Sequence, residues 1–148
     1  MKILAVNTGS STLKWKLYDM PAEHVIAEGM LDRMGLGDSV FTVKFNGEKT
    51  KEVGDIKNAE EAVKKLMATL IDRKIIGSFD EIQGIGHRIV AGGETFEHSA
   101  LMTPENIQKV KDLADFAPLH NPAEAGGIEA FAKLLPNVPQ VGVFDTAF

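Results

Sequence analysis

Apolar residues recur along the chain with two different periods. Lys2 to Val6 is a short apolar run that ends in Asn7-Thr8-Gly9-Ser10-Ser11-Thr12, which predicts a buried strand followed by a tight polar turn. Leu13, Trp15 and Leu17 then alternate with Lys14, Lys16 and Tyr18. That period of two predicts a half-buried strand, so the two segments form a hairpin around the Gly/Ser turn. His24 to Asp32 reads as a third strand. Phe41 to Phe45 and Glu48 to Val53 flank Asn46-Gly47, a strong two-residue hairpin signal.

The period changes after residue 57. Over Asn58 to Lys74, Val63, Leu66, Met67, Leu70 and Ile71 fall on one helical stripe, and Asn58 and Glu61 are spaced close to a capping box. Glu60-Glu61 and Lys64-Lys65 form i,i+4 pairs on what is expected to be a solvated helix face. Ile82 to Val90 predicts a buried strand containing His87 and Arg88, ended by Gly92-Gly93. Thr103-Pro104-Glu105 starts a second helix, with proline at its first position. Asn121-Pro122-Ala123-Glu124 starts a third, whose apolar positions include Ala125, Ile128, Phe131 and Leu134. Pro139 to Asp145 is a final buried strand. Strands lead and a helix–strand–helix–helix–strand order follows. The pattern predicts an α/β layer fold in which antiparallel strands precede parallel crossovers.

Composition narrows the function classes. With 148 residues, 44% apolar and 25% charged, the chain is expected to form one globular domain. Its net charge of −5 disfavours bulk nucleic-acid binding. The absence of cysteine excludes a disulfide scaffold, a Cys-ligated zinc site and a Cys nucleophile, and it fits a reducing compartment. No apolar run reaches the length of a membrane span, and Asn7 interrupts the N-terminal run too early for a signal-peptide core. A cytoplasmic protein is expected. The chain stops directly after Val141-Gly142-Val143-Phe144, which suggests a piece of a longer protein.

Four places carry candidate chemistry. The Asn7–Thr12 turn offers backbone N–H groups and hydroxyls to an anion, with Lys14 just beyond it on the polar face, although a plain hairpin turn fits the same residues. Neither GxxxxGK[ST] nor GxGxxG is present. Arg88 cannot neutralise itself, so a buried strand tolerates it only with an anionic partner, either a structural carboxylate or a substrate. His87 reads as structural, and His24 and His98 as surface residues. His120 precedes a helix start, where it could donate to an oxyanion or bond to nearby backbone. Asp145 ends an apolar strand, where it could hold a metal, act as a base or cap the next turn. No HxxxH or HExxH spacing supports a His-ligated metal. This residue set suits phosphoryl transfer, and it suits a passive anion binder equally.

The same residues carry a family resemblance. Asn7-Thr8-Gly9-Ser10-Ser11-Thr12-Leu13-Lys14 resembles the N-terminal signature of acetate kinases. Gly86-His87-Arg88-Ile89-Val90-Ala91-Gly92-Gly93-Glu94, Ala117-Pro118-Leu119-His120-Asn121-Pro122 and Val143-Phe144-Asp145-Thr146-Ala147-Phe148 resemble three further blocks, in the family's order. The blocks span residues 1–148 and correspond to the family's N-terminal domain, without its C-terminal ATP-binding half.

The resemblance implies an acetate and sugar kinase/actin-like, ribonuclease H-like domain: a mixed sheet with leading antiparallel strands and flanking helices. It implies reversible transfer of the γ-phosphoryl of ATP to acetate, with Mg²⁺ or Mn²⁺, by a cytoplasmic homodimer that needs neither nucleic acid nor membrane. It implies that Asn7 helps hold the metal–phosphate end, and that Ser10, Thr12 and Lys14 line the phosphate-binding hairpin. It implies that Arg88 neutralises the carboxylate and the moving phosphoryl, that His120 donates to that phosphoryl, and that Asp145 orients the reacting groups. Val90 and Leu119 would form the pocket for the acyl methyl group.

The chain departs from the pattern at Thr8 and Thr12, where alanine and serine are common, and at Ala91, where histidine is common. A propionate or butyrate kinase of the same family remains an alternative, as does a non-catalytic acyl-phosphate-binding module. The 148-residue chain alone is expected to be inactive, because it lacks the adenine-binding half and a second metal-site residue.

Overall fold

The computed structural model describes residues 1–89, 100–112 and 121–144. Eight strands form one mixed sheet: β1 (Lys2–Thr8), β2 (Leu13–Asp19), β3 (His24–Asp32), β4 (Ser39–Phe45), β5 (Glu48–Gly54), β6 (Ile82–Ile89), β7 (Ala100–Leu101) and β8 (Gln140–Phe144). Among the described residues three helices accompany them: α1 (Ala59–Asp72), α2 (Pro104–Asp112) and α3 (Asn121–Leu134). The strand order is β5-β4-β3-β2-β1-β6-β8-β7. β1 is antiparallel to β2 and parallel to β6, which is in turn parallel to β8. Every predicted element is present among the described residues, with described ends within two residues of those expected, while Val90 and Asp145, the expected ends of two strands, lie outside the described residues. The two-residue strand β7 and the 3₁₀ turn at Phe79–Glu81 carry no periodic signal and were not predicted.

Alternation along the strands separates two faces. Leu4 and Val6 of β1, Trp15 and Leu17 of β2 and Ile85 of β6 are buried on one face. Val63, Leu66 and Leu70 of α1 and Phe131 of α3 close over it in one continuous apolar core. Burial of these side chains supplies the main driving force for the fold. Asn58 caps α1 by accepting the Glu61 N–H at 3.0 Å, while the Glu61 carboxylate accepts from the Lys57 N–H at 2.6 Å. The Glu60–Lys64 pair forms at 3.7 Å. The expected Glu61–Lys65 pair gives way to a different contact, because Lys65 reaches across to Glu52 on β5. Among the described residues no helix is long and apolar enough to cross a membrane.

Gly29 shows how tightly the core face is assembled. It sits opposite Trp15 across the β2–β3 ladder. A Cβ there would meet the Thr42 carbonyl oxygen and stand 2.9 Å from the Trp15 indole. Gly86 is different, since a Cβ there meets open space. Gly29→Ala is therefore expected to destabilise the fold by about 1–3 kcal/mol. Gly86→Ala should stay within about 0.5 kcal/mol. Urea midpoints of the two variants check this, and equal midpoints would contradict it.

Candidate functional site

The hairpin joining β1 to β2 is closed by a hydrogen bond from the Gly9 N–H to the Thr12 carbonyl at 2.8 Å. The Thr12 hydroxyl packs over Gly9, where a Cβ would lie 2.8 Å from Oγ1, so a larger residue there would force the Thr12 side chain to move. Ser11 C=O accepts from the Met34 N–H at 2.9 Å, which ties the turn to the segment after β3. Ser10 is exposed at the tip. On the core side Thr8 is buried, and its hydroxyl lacks a hydrogen-bond partner among the described residues. Gly127 of α3 packs against it, since a Cβ there would stand 3.1 Å from Thr8 Oγ1. The absence of a side chain at Gly127 lets α3 come close to the end of β1, beside the turn.

The sheet register then aligns the candidate residues. Asn7 is paired with Lys14 across β1 and β2. Val6 is paired with His87 across the parallel strands β1 and β6, so Asn7 and Arg88 follow as the next neighbours. Arg88, Asn7 and Lys14 thus lie at one level on three adjacent strands, which are spaced about 4.8 Å apart. All three line a single open cavity of about 900 Å³ on the face opposite the core. Ser10 and Thr12 lie at the end of the same two strands, outside the lining of that cavity.

Arg88 is exposed on this face. The expectation of a charge inside a fully buried strand does not hold, because β6 is buried on one side only. The sequence showed a near-continuous apolar run there because Gly84 and Gly86, which share the open face with Arg88, read as neutral positions. Its neighbour His87 points the other way and is 3% exposed. His87 Nε2 lies 2.5 Å from Gln140 Oε1, and Gln140 Nε2 donates to the Ile128 carbonyl of α3 at 3.1 Å. Because Oε1 can only accept, Nε2 carries the proton. The imidazole also meets the Phe131 ring edge-to-face, with centroids 5.6 Å apart. This buried chain ties β6, β8 and α3 together and fits the structural role expected of His87. His24 is exposed, also as expected. Gln140 was missed, since a lone glutamine opening a strand has no spacing signature.

The cavity holds further charges that the sequence did not single out. Lys16, Glu28, Lys44 and Lys49 form a second row beside the first, joined by the pairings Lys16↔Glu28, Glu28↔Lys44 and Lys44↔Lys49. Strand parity marked Lys16 as outward-facing, but the pairing of β2 with β3 and β4 was needed to bring these groups together. His120, Asp145, Val90 and Leu119 lie outside the described residues. Among the described residues no cluster of three or more His, Asp or Glu groups could hold a metal. Asn7 contributes one neutral oxygen donor facing the cavity. That suits a magnesium ion held mainly by substrate phosphates and waters.

These features define an α/β domain with a polar Gly/Ser/Thr hairpin at the end of a mixed sheet and a row of cationic and amide side chains on its open face. The chain belongs to the acetokinase family, whose pattern matches residues 2–148. It is similar to acetate kinase 1 of Lactococcus lactis, with 56% identity over 147 residues covering 99% of this chain and 37% of that protein. The crystal structure of Porphyromonas gingivalis acetate kinase superimposes with a TM-score of 0.93 at 45% identity, covering 99% of this chain and 38% of that one. A propionate kinase from Francisella tularensis gives a TM-score of 0.88 at 31% identity, covering 99% of this chain and 37% of that one. The chain therefore spans little more than a third of the length of these relatives.

Burial pushes the His87 pKa down to about 4, against a smaller opposing effect of the Gln140 hydrogen bond. Above the unfolded value of about 6.5, the imidazole is neutral in both states and makes no pH-dependent contribution. As pH falls from 6.5 to 4 the unfolded chain takes up a proton that the folded chain refuses, so stability is lost across that window. The loss amounts to roughly 3 kcal/mol. Urea midpoints of the chain should fall across this range, and His87→Gln should remove this part of the slope. An unchanged slope in His87→Gln would contradict the buried neutral state.

Proposed function

We propose that the chain is the N-terminal domain of an acetate kinase. In this reading the complete protein transfers the γ-phosphoryl of ATP to acetate, giving acetyl phosphate and ADP reversibly. The observation that carries the reading is the single row of Arg88, Asn7 and Lys14 on the open face, beside a turn rich in N–H and hydroxyl groups. Phosphoryl transfer is achieved mostly by positioning and charge neutralisation, and a row of two cations and one amide oxygen offers both.

The Arg88 guanidinium presents planar donors that can hold a carboxylate and a phosphoryl oxygen together. Lys14 acts as a point charge on the phosphates, with Ser10 and Thr12 donating from the turn. Asn7 would offer its amide oxygen to a Mg²⁺ or Mn²⁺ ion, which would neutralise phosphate charge when bound. His120 donates to the phosphoryl in transit, Asp145 orients the reacting groups, and Val90 and Leu119 enclose the acyl methyl. The open face leaves the site accessible from one side, so an adenine-binding half is needed to complete it. The 148-residue chain alone is inactive in this reading. The complete enzyme is a cytoplasmic homodimer that requires no nucleic acid or membrane.

The test is an acyl-phosphate trap with hydroxylamine, using the complete protein in Mg-ATP with acetate, propionate or butyrate. Product with acetate, in excess over the longer acids, is expected. Preference for propionate would favour the second reading, suggested by the likeness to the Francisella propionate kinase. No product from folded protein with any of the three acids would favour a passive anion-binding module. In the same assay Arg88→Ala should lower turnover by about 10³-fold or more, with the urea midpoint nearly unchanged because Arg88 is exposed. A loss of tenfold or less would assign Arg88 to structure instead.

A further inference from the structure

We propose that Lys16 is a site of covalent self-acylation by the acyl phosphate handled in the neighbouring row. This inference rests on the reading above, in which an acyl phosphate is formed and consumed on this face. Lys16 is exposed on β2, opposite Ala5 on one side and Glu28 on the other. It lines the same cavity as Arg88, Asn7 and Lys14. It stands two residues along the strand from Lys14, about 7 Å. The flexible four-carbon stem lets its amine cover much of that distance.

Charge favours the encounter. The chain carries a net charge of −5, yet among the described residues this cavity gathers Lys14, Lys16, Lys44, Lys49 and Arg88 beside one carboxylate, Glu28. A cleft in which one sign of charge predominates concentrates counter-ions. An acyl phosphate is a dianion and a mixed anhydride, so it is drawn to the face and is able to acylate an amine there. Lys14 lies closer still, but it belongs to the row that engages the phosphates. Lys44 and Lys49 are progressively further from that row, beyond Glu28.

The step balances without a further reactant. The neutral Lys16 amine attacks the carbonyl carbon and forms the N–C bond. The bond from that carbon to the bridging oxygen breaks, and phosphate leaves. The proton lost by the amine passes by way of the Glu28 carboxylate to the departing phosphate. The products are an amide on Lys16 and inorganic phosphate. The modification replaces a cation by a neutral amide. Accumulated product would therefore weaken the attraction of this face for its own anionic substrates.

The test uses the folded chain, acetyl phosphate carrying a deuterated acetyl group, and site-resolved peptide mass spectrometry at pH 8.5. Lys16 should be acetylated about tenfold faster than Lys57 and Lys74, which are exposed outside the cavity. The preference should vanish in urea, and inorganic phosphate should slow Lys16 without slowing Lys57. Equal rates at Lys16, Lys57 and Lys74 in the folded chain, or a preference that persists in urea, would overturn the proposal. The acyl phosphate is supplied as a reagent, so such a result would leave the kinase reading intact. Failure of the hydroxylamine trap would instead remove that reading and leave the reactivity of Lys16 measurable.

Discussion

The register of β1 against its two neighbours is the constraint on which the rest of the structure depends. β1 is antiparallel to β2 and parallel to β6, and side chains alternate faces along all three strands. A slip of one residue in β6 would turn Arg88 into the core and His87 out of it. The core prevents that slip. Leu4, Val6, Trp15 and Leu17 fill one face together with Ile85, and the His87–Gln140–Ile128 chain adds a polar lock that only one register satisfies. Position on the open face follows from packing on the closed one.

Two adjacent residues show the consequence most clearly. Imidazole can be buried because it can stay neutral and hydrogen-bonded. Guanidinium cannot shed its charge, so it belongs on the wet face. The strand alternation gives each its place without a bend or bulge near Arg88. The same lock reaches the middle of α3 through the Ile128 carbonyl, while Gly127 lets that helix approach Thr8 and the turn. The strand bearing Arg88, the hairpin bearing Asn7 and Lys14, and the helix that follows His120 in sequence are thus held by contacts on the core side.

Much of this was legible from the residues alone. The period-two alternation of Leu13, Trp15 and Leu17 located β2 and put Lys14 and Lys16 on its far side. Asn46-Gly47 located the β4–β5 hairpin, and the stripe through Val63, Leu66 and Leu70 located α1. What stayed hidden depends on pairing between segments distant in sequence. Glu28 lies in a strand with weak alternation, and only its partners Lys16 and Lys44 give it significance. Gln140 matters only because Ile85 is its partner in β6 and His87 is within reach. The exposure of Arg88 was obscured by the glycines around it, which carry no polarity of their own. β7 has two residues, too few for any period. For His120, Asp145, Val90 and Leu119 the family resemblance remains the support.

In the function proposed above, one row across three strands forms the anion site. The most direct measurement is an NMR titration of the folded chain with inorganic phosphate, following backbone and side-chain signals. Saturable shifts are expected at Asn7, Gly9 to Thr12, Lys14 and Arg88, weakening as salt is raised, with α1 undisturbed. Shifts centred on the N-termini of α1 or α2, or spread evenly over the surface lysines, would contradict it.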